Sequence, residues 1–205
     1  MTDVRPIEKP PRGRPRGFEA TAAVEAATRL FWAEGYEATS VDDLCKTMQM
    51  PRATLYSAFG GKERLFLAAI DHYATTRLAP LAAALGPKGS LVQDLTAFFD
   101  QVVVLATQDA ANPGCLISCV LSDAAGANPL FRAELDRRYA GMEHKIAARL
   151  RLTGEALPAP PEVLAVLLAS VARGLTLRAR SGATAANLRP VAAAAARVYV
   201  QPAGV

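Results

Sequence analysis

Cys115 and Cys119 stand four residues apart, a spacing that puts both sulfurs on one face of a helix. Thiols so placed have two readings. They form a switch that answers oxidants or electrophiles, or they are two small hydrophobes in a core, the ordinary role of free cysteine. The second is adopted, with thiol sensing through Cys115 and Cys119 kept as the alternative. His72 and His144 lie in different segments, and neither has a second ligand at metal spacing. Asp42 and Asp43 form a carboxylate pair, but at a helix start their chemistry is capping. The chain has no G-x-S-x-G, no phosphate loop and no Rossmann glycine pattern. A cysteine-dependent enzyme would need Cys115 or Cys119 as nucleophile and His144 as base. Nothing beside them in sequence supplies an orienting acid or an oxyanion site. The reading is therefore no enzyme, no cofactor and no metal.

The basic residues carry more. The balance over residues 1–62 is nine Lys/Arg against eight Asp/Glu, but residues 5–16 hold five cations and one acid. Within that arm, Arg12-Gly13-Arg14-Pro15 has the form of a strand for the narrow minor groove of A·T-rich DNA, where arginine finds enhanced negative potential. Residues 39–62 then read as two short helices with a tight joint. Ser40 caps the first, and Asp43 completes a capping box. Val41, Leu44, Cys45 and Met48 form one apolar face. Pro51 suits the first turn of the second helix, and Gly60-Gly61 end it. Leu55 and Phe59 face inward, which leaves Arg52, Ala53, Thr54, Tyr56 and Ser57 outside. Helices below about 12–15 residues are marginal alone. Packed as a pair they make a helix-turn-helix, whose second helix enters the DNA major groove.

The segment GYEATSVDDLCKTMQMPRATLYSAFGGKERLF, preceded by AAVEAATRLFWAEG, resembles the TetR family of bacterial transcriptional regulators. The TLY-x-x-F core followed by G-K-E carries the resemblance. It implies a DNA-binding head and a helical body that dimerises and binds an effector. The resemblance places Thr39, Tyr56 and Lys62 on phosphates, which suits two hydroxyls and a cation. Arg52, Thr54 and Ser57 are the candidates for base edges, with Ala53 beside them. Two positions depart from the family pattern. Gln49 stands where glycine is usual at the turn, and Ala58 replaces a larger polar residue.

A chain of 205 residues, 51% apolar, suits one or two domains with a real core. No period-2 run flanked by hairpin turns appears, so the expected class is all-α, with about nine helices. The division expected is a basic arm disordered in free solution over 1–17, the helix-turn-helix head over 18–62, a linking helix over 63–86 and the body over 87–205. The fourth helix is expected to run on to Ala84. A short helix is expected from Gly114 to Ala125 behind Asn112-Pro113. The longest apolar run, Val163 to Ala172, is too short for a bilayer. The first 17 residues have no apolar signal core. Three cysteines without CxxC suit a reducing cytoplasm.

For the body, a cavity between helices is expected, lined by Phe98, Phe99, Val102, Leu116, Cys119, Tyr139 and Met142. With no charge expected to point inward, the effector reads as a small neutral or weakly polar organic molecule that shifts the fourth helix. Leu164, Leu167, Leu168, Val171, Leu175, Val191, Ala195 and Val198 are expected to form an isologous homodimer interface. The functional expectation is a repressor released by its effector from a palindromic double-stranded operator. A helical scaffold that binds only protein is disfavoured by the arm and the TLY-x-x-F helix.

Overall fold

The chain sets its first boundaries with glycine and serine. Gly35 takes φ 86°, a left-handed conformation that closes helix α1 (Arg16–Glu34). Ser40 then opens α2 (Val41–Thr47) with both halves of the capping box formed. Helix α3 (Arg52–Phe59) follows, with Pro51 as its N-cap and Gly60 in the left-handed region as its C-cap. The computed structural model describes residues 16–197, with side chains from residue 20 onward. Arg12 and Arg14 of the arm and Val198 lie outside the described residues.

The fourth helix departs from the sequence expectation. It ends as α4 (Lys62–Arg77), and α5 (Ala79–Ala84) starts afresh after Leu78. Pro80 explains the break: its ring would clash with the carbonyl four residues back, and it lacks an N–H to continue the ladder. In the first turn of α5 that missing donor costs nothing. Ser90 and Gln93 form the second capping box, at the start of α6 (Leu91–Thr107).

A second departure concerns Asn112-Pro113. The helix expected from Gly114 does not begin there, because Gly114 adopts φ 96° and its N–H turns back to the Ala106 carbonyl at 2.8 Å. Helix α7 starts instead with a π-helical turn, Ile117–Leu121, and runs into Ser122–Ala124. Asn128 caps α8 (Pro129–Arg151) by accepting from the Leu130 and Phe131 N–H groups. Helices α9 (Pro161–Arg180) and α10 (Ala185–Arg197) complete the body.

Helix α1 packs along α4, while α6 lies against α10 and α9 lies beside α8. One buried apolar cluster runs through head and body, from Ala23 to Ala196. The head meets the body through aromatic rings. Phe131, near the start of α8, lies edge-on to Tyr36 and Phe66, with centroids 4.7 and 5.1 Å away. Beside it the Asn128 amide donates to Glu63 at 2.9 Å. Two further contacts fasten α4. His72 is 2.8 Å from Glu25 on α1, and Arg138 of α8 pairs with Asp71 at 2.9 Å. At the far end of the body, Asp94 and Arg149 form a buried ion pair at 2.6 Å. Asp94 also accepts from the Lys88 and Gly89 N–H groups, and Arg149 donates to the Gly89 carbonyl. This network ties the loop before α6 to the end of α8. Among the described residues no helix is long and apolar enough to cross a membrane.

Candidate nucleic-acid interface and effector cavity

Helix α3 turns only Leu55 fully inward, with Phe59 half-buried. Arg52, Ala53, Thr54, Tyr56, Ser57 and Ala58 are all exposed, as the spacing requires for a helix anchored on one face. Arg52 lies 3.5 Å from Asp42, in a pair open to solvent on both sides, an arrangement worth little. The joint before α3 is strained. Gln49 has φ 51°, the positive-φ non-glycine residue among those described. A left-handed L-residue costs roughly 1–2 kcal/mol, so the unusual residue at this turn holds a conformation that glycine would take freely.

Two expected phosphate contacts look different in the structure. Thr39 is fully buried, and its hydroxyl donates to the Gly35 carbonyl at 2.7 Å. Its side chain fastens the turn after α1 and does not reach the surface, so Thr39 leaves the contact set. Lys62 is half-buried, with its ammonium 4.3 Å over the Tyr36 ring and donating to the Glu37 carbonyl at 3.4 Å. It is near the surface of α3 but engaged with the head. Tyr56 is 48% exposed and lies against Gly61.

In the body, a cavity of about 510 Å³ opens between α4, α5, α6, α7, α8 and α9. That volume lies within the usual range for small-molecule sites. Phe98, Val102, Tyr139 and Met142 line it. Phe99 and Leu116, also expected there, are wholly buried in the core instead. Cys119 is replaced by Cys115, because the turn at Gly114 rotates the segment. The Cys119 sulfur would crowd a Cβ placed on Gly114, at 3.1 Å, while Cys115 faces the cavity. Burial pushes the Cys119 thiol upward, which depletes the reactive thiolate. His144 is exposed and does not line the cavity, so the cysteine–histidine pair of an enzyme is not assembled there.

The expectation of no inward charge is overturned. Arg137, Arg138 and Lys145 line the cavity from α8, and Arg173 does so from α9. Arg173 stacks 4.4 Å from the Tyr139 ring and pairs with Glu143 at 3.0 Å. Sequence reasoning missed α9 as a wall because Leu164, Leu167, Leu168, Val171 and Leu175 were given to the dimer. Ala169, Ala172 and Thr176 line the cavity from that helix. The missed signal on α8 was Gly141, set between Arg137 and Lys145. An interior helix glycine costs about 0.5–1 kcal/mol relative to alanine, and this one lines the cavity.

The dimer set needs a similar correction. Leu164, Leu168, Leu175 and Ala195 are buried within their own chain, and Val171 is half-buried. The open apolar side chains are Val163, Val166, Leu167 and Leu177 on α9, with Val191 on α10. Val163, Leu167 and Leu177 share one face of α9 with Ser170 and Gly174 between them, at the alternating spacings of four and three that suit helix–helix packing.

Comparison with known proteins agrees with this architecture. The family model for bacterial regulatory proteins of the tetR family matches residues 23–69. The HTH-type transcriptional repressor ComR of Escherichia coli (strain K12) is 30% identical over 203 residues, covering 97% of each chain. The HTH-type transcriptional repressor BdcR of the same organism is 27% identical, over 89% of this chain and 90% of its own. Among solved structures, a cysteine-substituted TetR family transcriptional regulator CifR, complexed with 26-base-pair operator DNA, superposes with TM-score 0.79. It is 27% identical, and the match covers 91% of this chain and all of that one.

Proposed function

The chain belongs to the TetR family of bacterial regulatory proteins and is a transcriptional regulator that binds operator DNA; from that premise we propose that it is a repressor released by a small molecule bound in the body cavity. The observation that carries the DNA-binding part is the open face of α3, anchored through Leu55 and Phe59 with Arg52, Ala53, Thr54, Tyr56, Ser57 and Ala58 exposed. Arg52, Ala53, Thr54 and Ser57 face base edges, with Arg52 suited to the two acceptors of a guanine. Tyr56 and Lys62 take phosphates, Lys62 by leaving the Tyr36 ring. The arm with Arg12 and Arg14 follows the adjacent minor groove.

A single head reads few base pairs, so two copies on a palindrome supply the specificity. The seam of Val163, Leu167 and Leu177, with Val191 beside it, suits an isologous contact with a second copy. Coupling runs along α8. One stretch of that helix lines the cavity, and its first turn holds the head through Asn128 and Phe131. A ligand that moves α8 or α4 therefore changes the spacing of two heads.

Fluorescence anisotropy with operator DNA tests the reading. Arg52→Ala should lose discrimination worth about 1–3 kcal/mol at one base pair. Lys62→Ala should weaken binding to every sequence and flatten its salt dependence. Deletion of residues 1–16 should cost affinity mainly on A·T-rich flanks. Normal operator binding by Lys62→Ala at physiological salt would contradict the placement of α3.

Cys115 favours a second reading, because it is the thiol that faces the cavity. In it, an electrophile that enters the cavity alkylates Cys115 and releases DNA. Intact-mass measurement after exposure to a maleimide, with Cys115→Ser as control, distinguishes covalent from reversible induction.

A further inference from the structure

The walls of the cavity differ in kind. Leu78, Leu81, Phe98, Val102, Ile117 and Ala172 make an apolar interior. Arg137, Arg138, Lys145 and Arg173 make the other side, and among the described residues no Asp or Glu lines the cavity. Three of these cations already have partners outside the lining. Arg137 and Arg138 share Glu134 at 2.8 and 2.6 Å, Arg138 also pairs with Asp71, and Arg173 meets Glu143. Lys145 is the exception: it is exposed and makes no ion pair or hydrogen bond among the described residues.

Gly141 supplies the second observation. Residues 137, 141 and 145 are four apart, so they share one face of α8. A Cβ built at Gly141 would meet nothing within 4 Å. Packing does not demand a glycine there, and helix stability argues against one. Its effect is a gap in the wall between a guanidinium and an unpartnered ammonium.

We propose that the cavity takes an amphipathic monoanion, with a carboxylate held between Arg137 and Lys145 over Gly141 and an apolar body inserted between α4, α6 and α9. This rests on the effector reading of the cavity. The chemistry favours this class over two others. An organic cation would meet the unpaired Lys145 ammonium, with no acid among the described lining residues to receive it. A neutral molecule would bury its body equally well but leave Lys145 unpartnered. A carboxylate forms charge-assisted hydrogen bonds, shorter and stronger than neutral ones. The position of Lys145 at the exposed rim also fixes orientation, with the charged end outward and the apolar end deep.

Three probes with one chain and different heads separate these classes: octanoate, octan-1-ol and octylammonium. Calorimetry on the full-length protein should show octanoate binding about ten-fold tighter than octan-1-ol, the scale of one added charged hydrogen bond. Octylammonium should bind weakest, and the preference for octanoate should shrink as salt rises. The double variant R137Q/K145Q should lose that preference while binding octan-1-ol unchanged. Gly141→Leu should fill the gap and abolish octanoate binding, with a melting temperature at or above that of the parent. Equal affinity for octanoate and octan-1-ol would overturn the proposal, as would a preference that survives R137Q/K145Q or Gly141→Leu. Operator anisotropy separates the proposal from its premise. Octanoate bound with the expected preference but without DNA release upholds the anion class and overturns the effector reading.

Discussion

The head and the body put their working surfaces on opposite sides of their helices. In the head, α3 is anchored by Leu55 with Phe59 beside it, and function lies on what is left outside. In the body, the proposed effector site faces inward, onto a cavity lined by side chains of which several also build the core. An outward surface tolerates exchange without loss of fold. An inward one does not, because each lining residue also supports its neighbours. Sites of the two kinds should therefore separate cleanly in stability measurements.

The largest effect is expected at the buried pair in the body. Arg149→Ala leaves the Asp94 carboxylate buried with only backbone donors, and should cost about 3–5 kcal/mol. Denaturant unfolding measures it, and a change below 1 kcal/mol would mean that water reaches Asp94. Next comes the contrast of neighbours on α9. Leu168 is wholly buried, so Leu168→Ala should destabilise by about 2–5 kcal/mol. Leu167→Glu, one residue along and 40% exposed, should spare the fold and shift the protein toward monomer in sedimentation. Parent-like dimers from Leu167→Glu would remove this face from the interface. In the head, Gln49→Gly relieves the left-handed strain while adding freedom to the unfolded chain, for a net gain of about 0.5–1 kcal/mol. Operator affinity should not change.

The smallest effect is electrostatic. Burial raises the Glu25 carboxyl, but hydrogen bonds from Arg29 and His72 outweigh it and hold the group below the usual carboxylate range. A group depressed on folding contributes stability above its unfolded pKa and loses it as pH falls through the folded one. Glu25→Gln should thus cost stability at neutral pH, and the deficit should vanish in acid. An equal deficit in neutral and acidic denaturant titrations would assign the effect to packing instead.

The same contrast explains what was legible in the sequence. The head is written in local signals. Ser40 and Asp43 cap, Gly60 stops, and Leu55 and Phe59 share the inward face, so the outward face follows by subtraction. Thr39 escaped because a hydroxyl suits both a phosphate and a buried carbonyl, and only the fold of the α1–α2 turn decides. In the body, periodicity identifies an apolar helix face but not what covers it. Leu164 and Leu168 share a helix with Val163 and Leu167, and a rotation of about 100° per residue decides between core and seam. Cys115 and Cys119 exchanged roles for a similar reason, since Gly114 sets where the helix starts. Pro80 was visible, yet its break falls where a proline also suits a first turn.

That break gives the cavity two plates with a joint between them. Ala74 and Thr75 belong to the α4 side of the wall, while Leu81 and Ala82 belong to α5. An unbroken helix would act as a stiff lever, and any occupant of the cavity would move the head. With the helix broken at Leu78, a guest that leans only on α5 would have no continuous helix through which to push the head. One that leans on Thr75 carries its thrust along α4 to Lys62. Under the effector reading proposed above, two guests of equal affinity would then differ as inducer and silent competitor according to which plate they push.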